Sequence, residues 1–247
     1  VIIQGLGNVG YHTASILQRE DDAKIIAILE WDGALIDHKG LDVEDIYKYK
    51  CDNKGSVKGY SKAKYIKDSN SVLEMECDIL IPAAMEAVIN QSNAAKIQAK
   101  LIGEAANGPV TFAAEAILQE KGVVIIPDSY LNAGGVTVSY FEWIKNLSHI
   151  RFGRMNKRWE EGQNQLLIQA IEKTGSKVPQ DLVEKLSQGA DEVALVRSGL
   201  DDTMRKAFQD IHECYWSNEK INNYRIAAMA IAIKKIHTSY ATMGIYP

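Results

Sequence analysis

Between residue 1 and about residue 130, short runs rich in Val and Ile alternate with stretches of helical periodicity, and this alternation leaves few architectures open. The apolar runs are VIIQ from Val1, AKIIAILE from Ala23, CDILIPA from Cys77, KLIGEA from Lys100 and VVIIP from Val123. Runs of this length with little polar alternation suit strands buried on both faces, which is the condition of a parallel sheet. Helical patterns fall between them at 8–19, 41–50, 69–75, 89–97 and 111–121. The order predicts an α/β protein, a doubly wound Rossmann-like sheet with helices on both faces and right-handed crossovers. After Pro127 the pattern becomes helical, with segments at 135–148, 157–173, 179–188, 198–216 and 224–242. We therefore expect a dinucleotide-binding domain at 1–150, a protruding helical insertion at 151–197, and C-terminal helices at 198–247 that pack back on the first domain.

The first apolar run ends in GLGNVG, residues 5–10, and a helical pattern follows directly. In a strand–turn–helix setting, Gly5 can make the tight turn and Gly7 can admit a pyrophosphate close to the backbone. Gly10 lets helix and strand approach, while the N–H groups of Asn8 and Val9 face the phosphate oxygens. Glu30 ends the next apolar run, 20 residues beyond Gly10. A carboxylate there accepts the ribose hydroxyls of NAD and repels the 2′-phosphate of NADP, so NAD is expected rather than NADP. After Glu30, no Lys or Arg occurs before Lys39. A P-loop is excluded, because Tyr11 and His12 stand where Lys and Ser or Thr would be required. The bulky Trp31 after Glu30 could stack on an adenine or merely cover the strand end.

Composition removes other classes. Lys and Arg total 28 against 32 Asp and Glu, a net charge of -4 without long runs of one sign, so no nucleic-acid footprint is present. The three cysteines and five histidines are scattered, with no CxxC or HExxH spacing. No bound metal is expected, and the cysteines read as reduced structural thiols. No apolar stretch reaches the roughly 18 residues of a membrane span. Nothing at the start reads as a signal peptide, so a cytoplasmic protein is expected, with the mitochondrial matrix as the alternative. The chain opens on an apolar strand at Val1 without methionine, and we expect it to be part of something longer.

Three further segments lie where a doubly wound fold places its binding loops: IPAA from Ile81, EAANGP from Glu104, and the run from Pro127 to Trp143 that contains NAGGVTVSYFEW. Taken with GLGNVG, and with RSGLDDTM from Arg197 and YRIAAMAIAIKKI from Tyr224, they resemble the second half of glutamate dehydrogenases within the glutamate, leucine, phenylalanine and valine dehydrogenase family. The resemblance implies that Gly5, Gly7, Asn8, Val9 and Gly10 hold the pyrophosphate and that Glu30 holds the adenosine ribose. It also implies that Ala83 and Ala84 line the cofactor cleft, that Asn107 reaches the nicotinamide side, and that Asn132 lies near both nicotinamide and substrate. Ser139 matches the family serine that hydrogen-bonds the substrate side-chain carboxylate. Ala105 departs from the pattern, standing where the family more often has glycine and adding one methyl group to the loop.

The implied activity is oxidative deamination of L-glutamate to 2-oxoglutarate and ammonia, with hydride transfer to NAD. The lysine and aspartate that activate water and shuttle protons in the resembled enzymes belong to an N-terminal domain, so no catalytic residue is assigned within this chain. Lys145, Glu104 and Glu142 sit in no matching motif. The segment 151–197 resembles, in position, a shortened antenna of animal glutamate dehydrogenases, and a homo-hexamer is the implied assembly of the full-length protein. Two other readings remain open on sequence. One is a leucine, valine or phenylalanine dehydrogenase, for which a serine at position 139 would have no carboxylate to bind. The other is a nucleotide-sensing module without catalysis.

Overall fold

The computed structural model describes residues 1–148, 154–175, 177–187 and 192–244. Two compact units emerge, one made of Val1–Asn132 with Asp210–Pro247 and the other of Ala133–Gln209.

The first unit is built on one seven-stranded sheet, ordered β4-β3-β2-β1-β5-β6-β7. Its strands are β1 (Ile2–Gln4), β2 (Ala27–Glu30), β3 (Gly33–Ile36), β4 (Lys64–Ile66), β5 (Cys77–Pro82), β6 (Ala99–Gly103) and β7 (Val124–Ile126). All five apolar runs read from the sequence became strands, and they pair in parallel. Helices α1 (Asn8–Glu20), α2 (Val43–Asp52), α3 (Ser69–Leu73) and α4 (Phe112–Glu120) connect them. Two buried clusters form the core. One gathers Ile2, Leu29, Leu80, Ile102 and Leu118, the other Ile3, Leu6, Ile28, Leu35 and Ile46. Ile2 and Ile3 fall in different clusters because successive strand residues point to opposite faces.

Two departures from the expected elements have local causes. The sequence reading did not anticipate β3 and β4, which pair antiparallel beyond β2. The pairing of Glu30 with Gly33 leaves Trp31-Asp32 as a two-residue hairpin loop. Gly33 sits at φ +150°, and a Cβ there would lie 2.6 Å from the Tyr65 ring, so the turn requires glycine. The helix expected over 89–97 is instead a loop with a single 3-10 turn, Ala94–Lys96. Asn and Ser side chains capture its backbone: Asn93 Oδ1 accepts the Asn90 N–H at 2.8 Å, and Asn90 Oδ1 accepts the Ser92 N–H at 3.0 Å. Such bonds compete with helical ones.

The unit is completed by α5 (Asp128–Leu131) and α10 (Tyr224–Met243), and α10 packs on β7 and α5. The second unit is helical, with α6 (Ala133–Ser148), α7 (Arg154–Lys173), α8 (Gln180–Ser187) and the first part of α9 (Glu192–Ser217). Within it Lys145 on α6 pairs with Glu192 on α9. Of the expected insertion at 151–197, residues 151–153, 176 and 188–191 lie outside the described residues, as do 149–150 and 245–247.

Candidate functional site

The strand order reverses at β1. The chain moves outward through β2, β3 and β4, then crosses to place β5 on the other side of β1. In open α/β sheets the crevice at such a reversal, outside the carboxyl ends of the strands, is where ligands bind. Here the glycine turn follows β1 and Pro82-Ala83-Ala84 follows β5.

The turn shows three different demands on its glycines. Gly5 has φ +90°, and a Cβ on it would meet the Ala84 Cβ at 2.6 Å. A Cβ on Gly10 would lie 1.8 Å from the Gly5 carbonyl oxygen, so this contact between helix and turn excludes any side chain. A Cβ on Gly7 would meet nothing within 4 Å. Gly7 therefore borders open space, as a glycine admitting a ligand close to the backbone should. It is also the N-cap of α1, supplies no side-chain cap, and is followed by a first turn without acidic residues. The first N–H groups of an α-helix lack intrahelical partners and carry partial positive charge, so this end suits a phosphate.

Two adjoining hollows meet at Ala84, Met85 and Glu86. The larger, about 830 Å³, is bordered by Gln4, Gly5, Glu30, Trp31, Ser69 and Asn70 among others. The smaller, about 660 Å³, is lined by Val9, Ala83, Ala105, Ala106, Asn107 and Asn132 together with the shared residues. On the floor of the larger one the Gln4 side-chain oxygen is buried with no partner among the described residues, a polar atom left for a ligand or water. The cleft thus gathers Gly5, Val9, Glu30, Ala83, Ala84, Asn107 and Asn132, with Gly7, Asn8 and Gly10 in the turn beside it. Ser139 lies in the second unit, on α6, where its hydroxyl donates to the Gly135 carbonyl at 3.1 Å.

Glu30 is more constrained than its position in the sequence suggests. Its Oε1 accepts the Leu6 N–H of the glycine turn at 2.5 Å and pairs with Lys50 Nζ at 2.6 Å. Lys50, in the last turn of α2, also donates to the Leu6 carbonyl at 2.8 Å. Glu30 thus ties the second strand to the turn, and Lys50, 20 residues further along the chain, balances its charge. Trp31 is 78% exposed, and its Nε1–H donates to the Gly55 carbonyl at 3.3 Å. The ring borders the larger hollow.

At the other end the two asparagines meet: Asn132 Nδ2 donates to Asn107 Oδ1 at 2.8 Å. The loops that carry them are fastened by a charged cluster absent from the sequence reading. Glu104, 0% exposed, accepts the Asp128 N–H at 2.8 Å and pairs with Arg225 at 2.7 Å. Arg225 also pairs with Glu115 at 2.9 Å and with Asp128 at 3.1 Å. Burial pushes the Glu104 carboxyl above its ordinary value, and the guanidinium only partly offsets this. Both carboxylate oxygens of Glu104 are thus engaged within the cluster. Lys145, held by Glu192, is likewise occupied. Among the described residues there is no group of three or more His, Cys, Asp or Glu side chains fit to hold a metal, and no helix is long and apolar enough to cross a membrane.

Sheet order, glycine turn and cleft define the class as an α/β domain of the dinucleotide-binding architecture. The sequence profile of the glutamate/leucine/phenylalanine/valine dehydrogenase family matches residues 1–198, and the chain belongs to this family. Dehydrogenases of the family bind a nicotinamide cofactor. The chain is 50% identical over 245 residues to the mitochondrial glutamate dehydrogenase of Dictyostelium discoideum, covering 99% of this chain and 48% of that protein. It is 34% identical to the glutamate dehydrogenase of Thermotoga maritima, covering 100% of this chain and 49% of the relative. Among solved structures, the glutamate dehydrogenase of Peptoniphilus asaccharolyticus superimposes with a TM-score of 0.64 at 29% identity, over 99% of this chain and 47% of that one. The hetero-hexameric glutamate dehydrogenase of Thermus thermophilus shares the fold, with a TM-score of 0.74 at 22% identity over 100% of this chain and 48% of that one. The chain spans about half the length of the curated relatives it matches.

Proposed function

We propose that this chain supplies the dinucleotide-binding half of a glutamate dehydrogenase that uses NAD. The observation that carries the reading is Gly7, which faces open space at the start of α1, in a turn whose Leu6 is bonded to Glu30 and whose Val9 lines the hollow of Asn107 and Asn132. In this reading the N–H groups of Asn8 and Val9 bind the pyrophosphate, while Gly5 and Gly10 keep the turn tight enough to present them. Glu30 orients the adenosine ribose through the carboxylate oxygen that neither Leu6 nor Lys50 engages. Ala83 and Ala84 keep the centre of the cleft narrow and apolar, and Asn107 and Asn132 face the nicotinamide. A nicotinamide held there by Asn107 and Asn132 would supply the hydride acceptor for oxidation of L-glutamate at its α-carbon, a reaction that consumes water and gives 2-oxoglutarate and ammonia. Ser139 is the residue proposed to hydrogen-bond the substrate side-chain carboxylate, and the full-length protein is proposed to assemble as a hexamer.

Titration with NADH and NADPH tests the cofactor. Tighter binding of NADPH would overturn the NAD assignment, and binding of neither would overturn the dinucleotide reading. Ser139→Ala in the complete enzyme tests the substrate. A raised KM for glutamate is expected, and unchanged glutamate kinetics would overturn the contact assigned to Ser139.

A further inference from the structure

We infer that Arg225 is a positioning residue for the nicotinamide end of the cleft, acting through Asp128 to hold Asn107 and Asn132 as a pair that reads a carboxamide. The inference rests on the dinucleotide reading above and concerns a residue remote from the glycine turn.

The geometry runs through one carboxylate. Asp128 Oδ1 accepts from Arg225 Nη1 at 3.1 Å and from the Ser129 N–H at 2.7 Å, while Oδ2 accepts the Gly108 N–H at 2.8 Å. Gly108 directly follows Asn107 and sits at φ +53°, the left-handed turn that brings the loop back toward the sheet. On the other branch, Asp128 is the first residue of α5, and its carbonyl accepts the N–H of Asn132 at 2.9 Å. One residue therefore touches both asparagine-bearing segments, through its side chain at Gly108 and its main chain at Asn132, and Arg225 fixes that side chain. Glu104 supplies a second brace, accepting the Asp128 N–H and the Arg225 Nη2–H together. With Asn132 Nδ2 bonded to Asn107 Oδ1, the pair retains one amide N–H₂ group and one carbonyl oxygen, a donor and an acceptor. The nicotinamide carboxamide presents the complementary acceptor and donor. ADP-ribose keeps the adenosine, the pyrophosphate and the second ribose of the cofactor but lacks the whole nicotinamide, ring and carboxamide together.

That chemical difference provides the test. In the intact protein, NADH and ADP-ribose are titrated by calorimetry against the wild type, Arg225→Met, Arg225→Lys and Glu115→Gln. Arg225→Met is expected to weaken NADH by about tenfold while changing ADP-ribose by less than about twofold. Arg225→Lys keeps the cation but loses the fork that spans three carboxylates, so it should show the same split at smaller size. Glu115→Gln removes an ion pair that does not reach either asparagine loop, and should lower thermal stability without altering the NADH to ADP-ribose ratio. Parallel weakening of both ligands in Arg225→Met would reduce Arg225 to a general structural brace and overturn the inference, as would unchanged binding of both. If Arg225→Met does not fold, the lysine variant decides by the same ratio. Failure of the wild type to bind either ligand would instead overturn the dinucleotide reading on which the inference rests.

Discussion

The two ends of the cleft are held in opposite ways. At the glycine turn the decisive contacts are between residues close in sequence or on neighbouring strands: Gly10 against Gly5, Gly5 against Ala84, Glu30 against Leu6. At the asparagine end the fastening comes from Arg225, which reaches Asp128, Glu115 and Glu104 across separations of 97, 110 and 121 residues. The first end is steric and tolerates almost no added atom. The second is electrostatic and depends on charge balance in a buried place. Perturbing one should therefore leave a signature that perturbing the other does not.

Gly10→Ala should have the largest effect. Its methyl carbon would sit 1.8 Å from the Gly5 oxygen, so α1 must move away from β1 or the turn must open. We expect a loss of about 4 kcal/mol or failure to fold, measured by denaturant unfolding. Gly7→Ala is the matched control at the same end, because its methyl group meets no protein atom. It should leave stability nearly unchanged and weaken NADH at least about tenfold, since the added carbon stands where the phosphate must approach. Equal destabilisation by the two variants would refute the distinction between a packing glycine and a ligand glycine.

Arg225→Met comes next, with an expected loss of about 3 kcal/mol near pH 7.5, because breaking a buried ion pair strands its partners. Here the pH dependence separates the two ends. The Glu104 carboxyl is already held above its ordinary value by burial, only partly offset by Arg225. A carboxyl raised in this way contributes stability below its unfolded pKa and loses it as pH rises through the folded one. Removing the guanidinium raises it further, with Glu115 and Asp128 adding negative charge nearby. The difference between wild type and variant should therefore shrink as pH falls from 7.5 to 5.5. The Gly10→Ala difference should stay constant over the same range. A pH-independent penalty for Arg225→Met would mean that lost packing, rather than stranded carboxylates, accounts for the effect.

How much of each end could be read from the sequence follows from the same contrast. The glycine turn is legible because strand, turn and helix are contiguous and each glycine answers a local steric demand. Glu30 touches it as the end of the neighbouring strand, but Lys50 carries no sequence signal, since only the packing of α2 brings that ammonium to the turn. The β2–β3 hairpin carried little signal, because its two-residue loop is Trp31-Asp32, with Gly33 already in β3, and β3 and β4 are short. The helix expected over 89–97 failed because Asn90 and Asn93 captured the backbone, a competition that apolar periodicity does not register. Arg225 lay within a quoted motif, YRIAAMAIAIKKI, without a role. A half-buried arginine cannot be distinguished from an exposed one until the fold brings three carboxylates around it.

Glu30→Gln probes the charge balance at the glycine end. It should cost about 1 to 2 kcal/mol, leaving Lys50 with a neutral partner beside the Leu6 carbonyl. The unbalanced ammonium should shift the NADPH to NADH affinity ratio toward NADPH, as read by paired fluorescence titrations. Lys50→Met should shift it the other way by exposing the Glu30 charge. If neither variant moves the ratio, Glu30 serves the turn alone and the cofactor preference is set elsewhere.

Ala105→Gly is expected to do least, and it tests whether the methyl group at the family's usual glycine position crowds the loop. Ala105 is buried among Ile3, Leu6 and Ile81, and its φ is not in the left-handed region, so glycine relieves no backbone strain. The substitution removes a packed methyl group and frees the unfolded chain, each a loss, for a total of about 1 kcal/mol. Since Ala105 also lines the smaller hollow beside Asn107, crowding would appear as tighter NADH binding in the glycine variant. We expect affinity to hold within about twofold, because a well-packed methyl group stiffens the loop without narrowing the space above it. Tighter binding with unchanged stability would show that the asparagine end, like the glycine turn, is limited by steric space as well as by charge.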